Sequence, residues 1–303
     1  MIKTLRIQLT DECNLNCVYC CHEGTKCDFS ILKNRNLISF IRAAYDVLKI
    51  DRIKFTGGEP LEYDENISDI VRNAGRPEIQ YSIVTNATKY GSFTSLVDSD
   101  LIHDFEVTIS LPVPPNEKYV STFKEITGAF DEKKAFHNVI NCIEYMLSHN
   151  ATFKVNYVLC NGINTSAAYI KEIIDYAKNH SCIKLRFLET AVNSTNNQND
   201  RMSKFVFSQN DFESVLTELG YNEAVLNKRE NKRSSCLYDI DGYTVKLIKF
   251  FCNSSCEECP EDKTSLWLTS TGYVKQCSYR NASLRIDNWQ YEKIAKQLET
   301  IIE

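Results

Sequence analysis

The stretch Thr10-Asp-Glu-Cys13-Asn-Leu-Asn-Cys17-Val-Tyr-Cys20 constrains this chain more than any other. Its three cysteines are separated by three and then two residues, directly after the apolar run Leu5-Arg-Ile-Gln-Leu9, so they ride on a loop leaving a strand. Such a loop can curl three thiolates around one metal centre, and soft thiolate sites favour iron–sulfur clusters or zinc. Only three ligands are local, so a [4Fe–4S] cubane held here would keep one iron without a protein ligand. A structural zinc would close with a fourth Cys or His at short spacing. Cys21 and His22 follow at once, too near Cys20 to complete a separate knuckle comfortably, and they leave the zinc reading open.

The rest of the chain sets the bounds. With 303 residues it can bury a sizeable core, as one large domain or a domain with an appendage. A net charge of −5 offers no basic field for nucleic acid, so an anionic substrate needs a local cationic pocket. No apolar run reaches the length of a membrane span. The 13 cysteines fall mainly in two clusters, which suits metal ligation better than a disulfide framework and implies a reducing cytoplasm.

Strand and helix patterns alternate. Strands are expected at Leu5–Leu9, Asp51–Thr56, Ile79–Asn86, Phe105–Leu111, Thr152–Leu159 and Ile183–Glu189. Helical spacing covers Ile38–Leu48, Ile67–Val71, Phe93–Val97, Ala135–Leu147 and Ala167–Ala177. The proline-bearing stretch Pro112–Lys134 is expected to be a long loop. Six such units are too few for a closed eight-stranded barrel. The expected fold is therefore α/β, a partial (β/α)6 TIM-like barrel with its site at the carboxyl ends of the strands. A smaller C-terminal α+β domain follows. The expected units are residues 1–190, a linker and helix over 191–234, and 235–303. Asn227–Arg233 is expected to be a solvated loop, and Asn288–Ile302 an amphipathic covering helix.

Gly57-Gly58-Glu59-Pro60 follows the second strand. Cys-x3-Cys-x2-Cys after one strand and Gly-Gly-Glu-Pro after the next resemble the radical SAM superfamily. That resemblance implies a [4Fe–4S] cluster on Cys13, Cys17 and Cys20, whose open iron chelates S-adenosylmethionine (SAM). Reductive cleavage then gives a 5′-deoxyadenosyl radical that abstracts hydrogen from a substrate. It also implies an external electron donor such as flavodoxin or ferredoxin. Tyr19 matches the packing residue beside the cofactor. Gly57 and Gly58 would let backbone approach a ligand closely, with Glu59 and Pro60 stiffening the turn. Thr85, Asn86, Ser110 and Asn156, at or near strand ends, fall where that family contacts ribose and carboxylate; turn or cap roles remain open for them.

A second group, Cys252, Cys256, Cys259 and Cys277, could close a cluster or a zinc site by itself; beside a radical SAM core it points to an auxiliary [4Fe–4S] cluster. Gly272 is placed for a hairpin turn before Cys277.

Ile126-Thr-Gly128, Lys154-Val-Asn156, Ile163-Asn164, Leu185-Arg-Phe-Leu-Glu189 and Leu266-Trp-Leu-Thr-Ser-Thr-Gly272 narrow the resemblance to the GTP 3′,8-cyclase family of molybdenum-cofactor synthesis. It implies that Lys154 and Arg186 bind an anionic part of the substrate, with buried ion pairs as the alternative. The departures are sharper than the match. Where the family has hairpin arginines stand Ser265 and Trp267, and its arginine before the first cluster cysteine is Glu12. Its C-terminal Gly-Gly is not matched by Thr300-Ile-Ile-Glu303. A triphosphate is costly to desolvate without several cations, so GTP is not the expected substrate.

The expected function is therefore radical chemistry on the carbon framework of a small molecule, with nucleoside- or sugar-derived compounds as the candidate class. The alternative is a SPASM/Twitch-type peptide-modifying enzyme, disfavoured by the lack of an added N-terminal recognition segment. A non-catalytic iron–sulfur protein is the third reading, against which the Gly-Gly-Glu-Pro turn argues.

Overall fold

In six strands, alternate residues are mostly apolar and buried, while most of those between them are polar. The strands are β1 (Thr4–Gln8), β2 (Arg52–Thr56), β3 (Gln80–Thr85), β4 (Phe105–Ser110), β5 (Phe153–Val158) and β6 (Ile183–Leu188). Ile7, Phe55, Ile83, Val107, Val155 and Phe187 are buried in one core with the helices. Arg6, Lys54, Ser82, Glu106, Lys154 and Lys184 line a cavity on the other face. Parallel strands usually read as continuous apolar runs because both faces are covered. Here one face is open space, which restores the two-residue alternation.

The computed structural model describes residues 2–20, 31–98, 100–103, 105–190, 202–231, 235–250, 264–277 and 284–301. Strands β1 to β6 pair in parallel, in chain order. Residues of β1 and β6, five strands apart, meet around a single cavity of about 540 Å³. A flat sheet would hold them roughly 24 Å apart at about 4.8 Å per strand, so the sheet curls into an open barrel.

The helices lie outside. Helix α1 (Asn34–Leu48) buries Leu37, Phe40, Ile41, Ala44 and Leu48, and ends at Lys49 with φ of 57°. Helices α2 (Ile67–Asn73) and α3 (Tyr90–Leu96) are short. Pro112–Lys134 is not one long loop. All its prolines precede a helix, α4 (Val120–Thr127), which buries Val120, Phe123, Ile126 and Thr127 and stops at Gly128 with φ of 64°. Its β-branched composition and short length hid the helical period. Helix α5 (Glu132–Ser148) starts earlier than Ala135, capped by the Asp131 side chain, and α6 (Ala167–Lys178) is as expected.

Beyond β6, α7 (Gln209–Glu218) and α8 (Asn222–Leu226) lead into β7 (Arg229–Asn231), β8 (Ser235–Ile240) and β9 (Tyr243–Ile248). Part of the expected Asn227–Arg233 loop is thus a strand, recruited by pairing with β8. Asp241 and Gly242, both at positive φ, turn β8 into β9. Strand β9 docks parallel on β6. Strands β10 (Ser265–Leu268), β11 (Tyr273–Lys275) and β12 (Leu284–Arg285) extend the opposite edge, β10 lying parallel to β1. Gly272, at φ of 79°, sits between β10 and β11 as expected. The units expected at 1–190, 191–234 and 235–303 all contribute strands to this one sheet. Helix α9 (Tyr291–Glu299) packs on α1, with Tyr291 donating to Asp46 at 2.9 Å.

Candidate active site

The cysteine loop leaves the carboxyl end of β1 and is seated by backbone bonds on two sides. Asn16 and Val18 donate their N–H groups to Thr127 and Ile126 at the end of α4, both at 2.8 Å. Gly58 and Glu59 donate theirs to Thr10 and Glu12 at 2.8 and 2.7 Å. A Cβ on Gly57 would stand 2.4 Å from the Thr10 carbonyl oxygen, and one on Gly58 2.2 Å from that of Glu12. Both glycines therefore permit the cysteine loop itself to lie against the turn, a role that the ligand-approach expectation did not include.

Cys13 is exposed, and Cys17 and Cys20 are half-buried. The Leu15 N–H donates to the Cys13 sulfur at 3.5 Å and the Asn86 amide at 3.9 Å. Desolvation pushes Cys13 up to about 11 and, with Cys20 nearby, Cys17 up to about 12. The Tyr19 hydroxyl bonds the Cys17 thiol and is itself held well above its ordinary pKa by burial. A cationic metal centre reverses this preference by favouring thiolates.

Among the described residues no three Cys, His, Asp or Glu side chains stand close enough to share one metal ion. Sulfurs sharing a zinc would be about 3.8 Å apart, from 2.3 Å bonds at the tetrahedral angle. Sulfurs on different irons of a cubane stand further apart. Three thiols on one loop, with N–H groups donating to the Cys13 sulfur, are the soft donor set that a three-cysteine cluster site needs.

Glu59 is 1% exposed and does not face the lumen as a free carboxylate. It accepts from Leu61 N–H at 3.0 Å, the Thr85 hydroxyl at 2.6 Å and Asn86 N–H at 2.6 Å. Burial nevertheless raises its pKa to about 7. Pro60 opens a single 3-10 turn, Pro60–Glu62. Asn86 carries the connection onward by donating to Asn14 at 2.9 Å, and Asn14 donates to Thr88 at 2.7 Å. Asn138 on α5 holds the Thr88 carbonyl at 2.7 Å. The sequence reading missed Asn14, Thr88 and Asn138; the Cys13-Asn14 pairing with Thr85-Asn86 was the available signal.

Inside the lumen, Ser110, Asn156 and Arg186 stand in register across β4, β5 and β6. Arg186 donates to Asn156 at 2.9 Å and to Thr108 at 3.2 Å, and burial lowers its pKa. Lys154 lies two residues deeper and pairs with Glu106. Thr85 is committed to Glu59, so its hydroxyl serves the turn. Trp267 is 7% exposed beneath the Arg6 guanidinium, 5.0 Å from the ring centroid, and Ser265 is buried. Cys277 follows β11, at the end of the barrel away from the first cysteine loop; Cys252, Cys256 and Cys259 lie outside the described residues.

Residues 7–177 match the family model "Radical SAM superfamily". A "Probable GTP 3′,8-cyclase" of Pyrococcus abyssi is 30% identical over 291 residues, spanning 93% of this chain and 87% of the relative. One from Pyrobaculum aerophilum is 28% identical over 289 residues, spanning 93% and 86%. Among solved structures, Streptococcus suis SuiB bound to precursor peptide SuiA aligns with a TM-score of 0.66 at 15% identity, covering 99% of this chain and 67% of that one. Native anSMEcpe with bound AdoMet aligns at 0.59 and 16% identity, covering 99% and 82%. These structures share the partial-barrel fold. A cysteine loop locked onto a Gly-Gly-Glu-Pro turn at the mouth of such a barrel, together with these relatives, makes the chain a member of the radical SAM superfamily, an enzyme that cleaves SAM reductively with a [4Fe–4S] cluster.

Proposed function

We propose that this enzyme abstracts hydrogen from a small molecule of nucleoside or sugar type and forms or rearranges its carbon framework, and that GTP is not that molecule. The supporting observation is the wall at β10. The hairpin positions that carry arginine in the cyclase pattern hold Ser265, buried beside β1, and Trp267, whose ring occupies space under Arg6. Neither can neutralise a triphosphate, and Glu12 adds a carboxylate at the loop.

Cys13, Cys17 and Cys20 would hold the catalytic cluster, which when bound supplies the electron for SAM cleavage. The Gly57-Gly58-Glu59-Pro60 turn, fixed by the buried Glu59, would present backbone to SAM, with Tyr19 packing beside the cluster. Asn86, Ser110 and Asn156 offer polar groups along the upper lumen, and Thr85 acts through Glu59. Arg186, buried and already oriented by Asn156 and Thr108, would orient the substrate with little further loss of side-chain freedom. Lys154 would act with Glu106 deeper in the lumen. Cys252, Cys256, Cys259 and Cys277 would hold an auxiliary [4Fe–4S] cluster. An external flavodoxin or ferredoxin would deliver electrons, in the cytoplasm.

The test is anaerobic incubation of reconstituted enzyme with SAM, reductant and a panel of nucleosides, sugar derivatives and peptides. A nucleoside- or sugar-type compound should raise 5′-deoxyadenosine release. Stimulation by peptides alone would overturn the small-molecule assignment.

A further inference from the structure

Asn86 follows β3 and belongs to a closed ring of three side chains beside the cysteine loop. Its Nδ2 donates to Asn14 Oδ1 at 2.9 Å, Asn14 Nδ2 donates to Thr88 Oγ1 at 2.7 Å, and the Thr88 hydroxyl donates back to Asn86 Oδ1 at 2.7 Å. The Thr88 N–H also donates to Asn86 Oδ1, at 3.0 Å. Every link runs from donor to acceptor, so turning either amide over would set donors against donors and acceptors against acceptors. The ring thereby fixes which way the Asn86 amide faces. Its Nδ2 carries two hydrogens; one goes to Asn14, and the other is left for the Cys13 sulfur at 3.9 Å. The backbone holds the same arrangement. The Asn86 N–H donates to buried Glu59 at 2.6 Å, and Ala87 takes φ of 57°, a left-handed conformation that a residue with a Cβ adopts at a cost. That turn brings Thr88 back onto Asn86.

We propose that Asn86 is a positioning residue that sets the reduction potential of the catalytic cluster: its oriented amide donates to the Cys13 thiolate and makes the cluster easier to reduce. Reduction takes one electron from an external donor and adds one negative charge to the cluster, with no bond made or broken. An N–H aimed at a ligating sulfur stabilises that added charge, so it favours the reduced state over the oxidised one. The Leu15 N–H, 3.5 Å from the same sulfur, is a second donor, which side-chain substitution leaves in place. The Asn86 share is then that of one net hydrogen bond. It amounts to at most about tenfold in the reduction equilibrium, or about 59 mV for a one-electron couple. This rests on the reading that Cys13, Cys17 and Cys20 hold the catalytic cluster, and it deepens that reading by assigning a residue that tunes it.

The test is an anaerobic redox titration of the reconstituted enzyme, without SAM or substrate, followed by electron paramagnetic resonance. The signal to follow is the one absent from a variant with Cys13, Cys17 and Cys20 all replaced by Ala. Asn86→Leu, close in volume and without a side-chain N–H, should lower the midpoint of that signal by up to about 59 mV, a tenfold change in the equilibrium. Thr88→Val opens the ring without changing the group beside the sulfur, so it should lower the midpoint in the same direction by less. Thr88→Ser keeps the hydroxyl and should match wild type. The two Thr88 variants carry the test by themselves if Asn86→Leu does not retain iron. An unchanged or raised midpoint in Asn86→Leu, a Thr88→Val midpoint equal to wild type, or a drop in Thr88→Ser as large as in Thr88→Val would each overturn the proposal. If no signal depends on the three cysteines, the ligation reading falls and the proposal with it. A cysteine-dependent signal whose midpoint ignores Asn86 and Thr88 overturns the role given to Asn86 alone.

Discussion

Replacing Glu59 by Gln should remove a pH dependence that this carboxyl imposes on folding. Its ordinary pKa of 4.5 is raised to about 7, chiefly by burial. The folded state therefore binds the proton more tightly. The contribution of the group to stability is fully present below about 4.5 and is lost as pH rises through about 7. Integrating the linkage relation between these two values gives a loss of about 2.5 kcal/mol from pH 5 to pH 8. Gln cannot titrate, so this slope should vanish. Its amide has one acceptor oxygen, and its NH2 would confront one of the three donors, from Leu61, Thr85 and Asn86. The protonated wild-type carboxyl carries the same conflict in its O–H, so Gln stands in for the protonated form. Glu59→Gln should thus be close to wild type in stability at pH 5 and more stable than it by about 2.5 kcal/mol at pH 8. Urea unfolding of both cluster-free proteins across this range measures the difference, and the Cys13 and Cys17 thiols titrate far above it. A constant gap between the two proteins from pH 5 to pH 8 would refute the reasoning.

Gly58→Ala should unseat the cysteine loop, because its Cβ would meet the backbone of Glu12 at 2.2 Å and of Asp11 at 2.6 Å. A cost of about 1–3 kcal/mol or more is expected, with iron lost from that loop, whereas Gly91→Ala in α3, with open space around it, should be neutral on both counts. Asn14→Ala should cost about 0.5–1.5 kcal/mol and speed iron loss in air, since it removes the bonds to Asn86 and Thr88 that hold this part of the cysteine loop; unchanged iron retention would contradict this. Replacing Cys13, Cys17 and Cys20 together with Ala should abolish 5′-deoxyadenosine production yet retain about four irons on the second cysteine group, as a cubane requires. Loss of all iron would remove the auxiliary cluster from the account.

The alternating strands and the first cysteine loop were legible because they depend on local spacing. The six parallel strands follow from runs such as Ile79–Asn86, whose period survives in isolation. Helix α4 was not legible, since its prolines lie before it and its apolar residues fill barely two turns. It is nevertheless what receives Asn16 and Val18 and seats the cysteine loop. Strand β7 was hidden for another reason: Arg229–Asn231 has no apolar pattern and becomes a strand only by pairing with β8. The glycines of the turn were recognised, but which backbone they admit depends on a long-range approach that composition does not encode. Lys154 was expected to face an anion; its partner Glu106 lies 48 positions away and becomes visible only through the β4–β5 register.

The central claim is that a cyclase-like radical SAM enzyme has turned away from GTP. Anaerobic incubation of the reconstituted enzyme with SAM, reductant and GTP, following the nucleotide and 5′-deoxyadenosine together, tests it most directly. GTP should be recovered intact and should leave 5′-deoxyadenosine release at its GTP-free rate. A cyclised nucleotide formed in step with 5′-deoxyadenosine would contradict it.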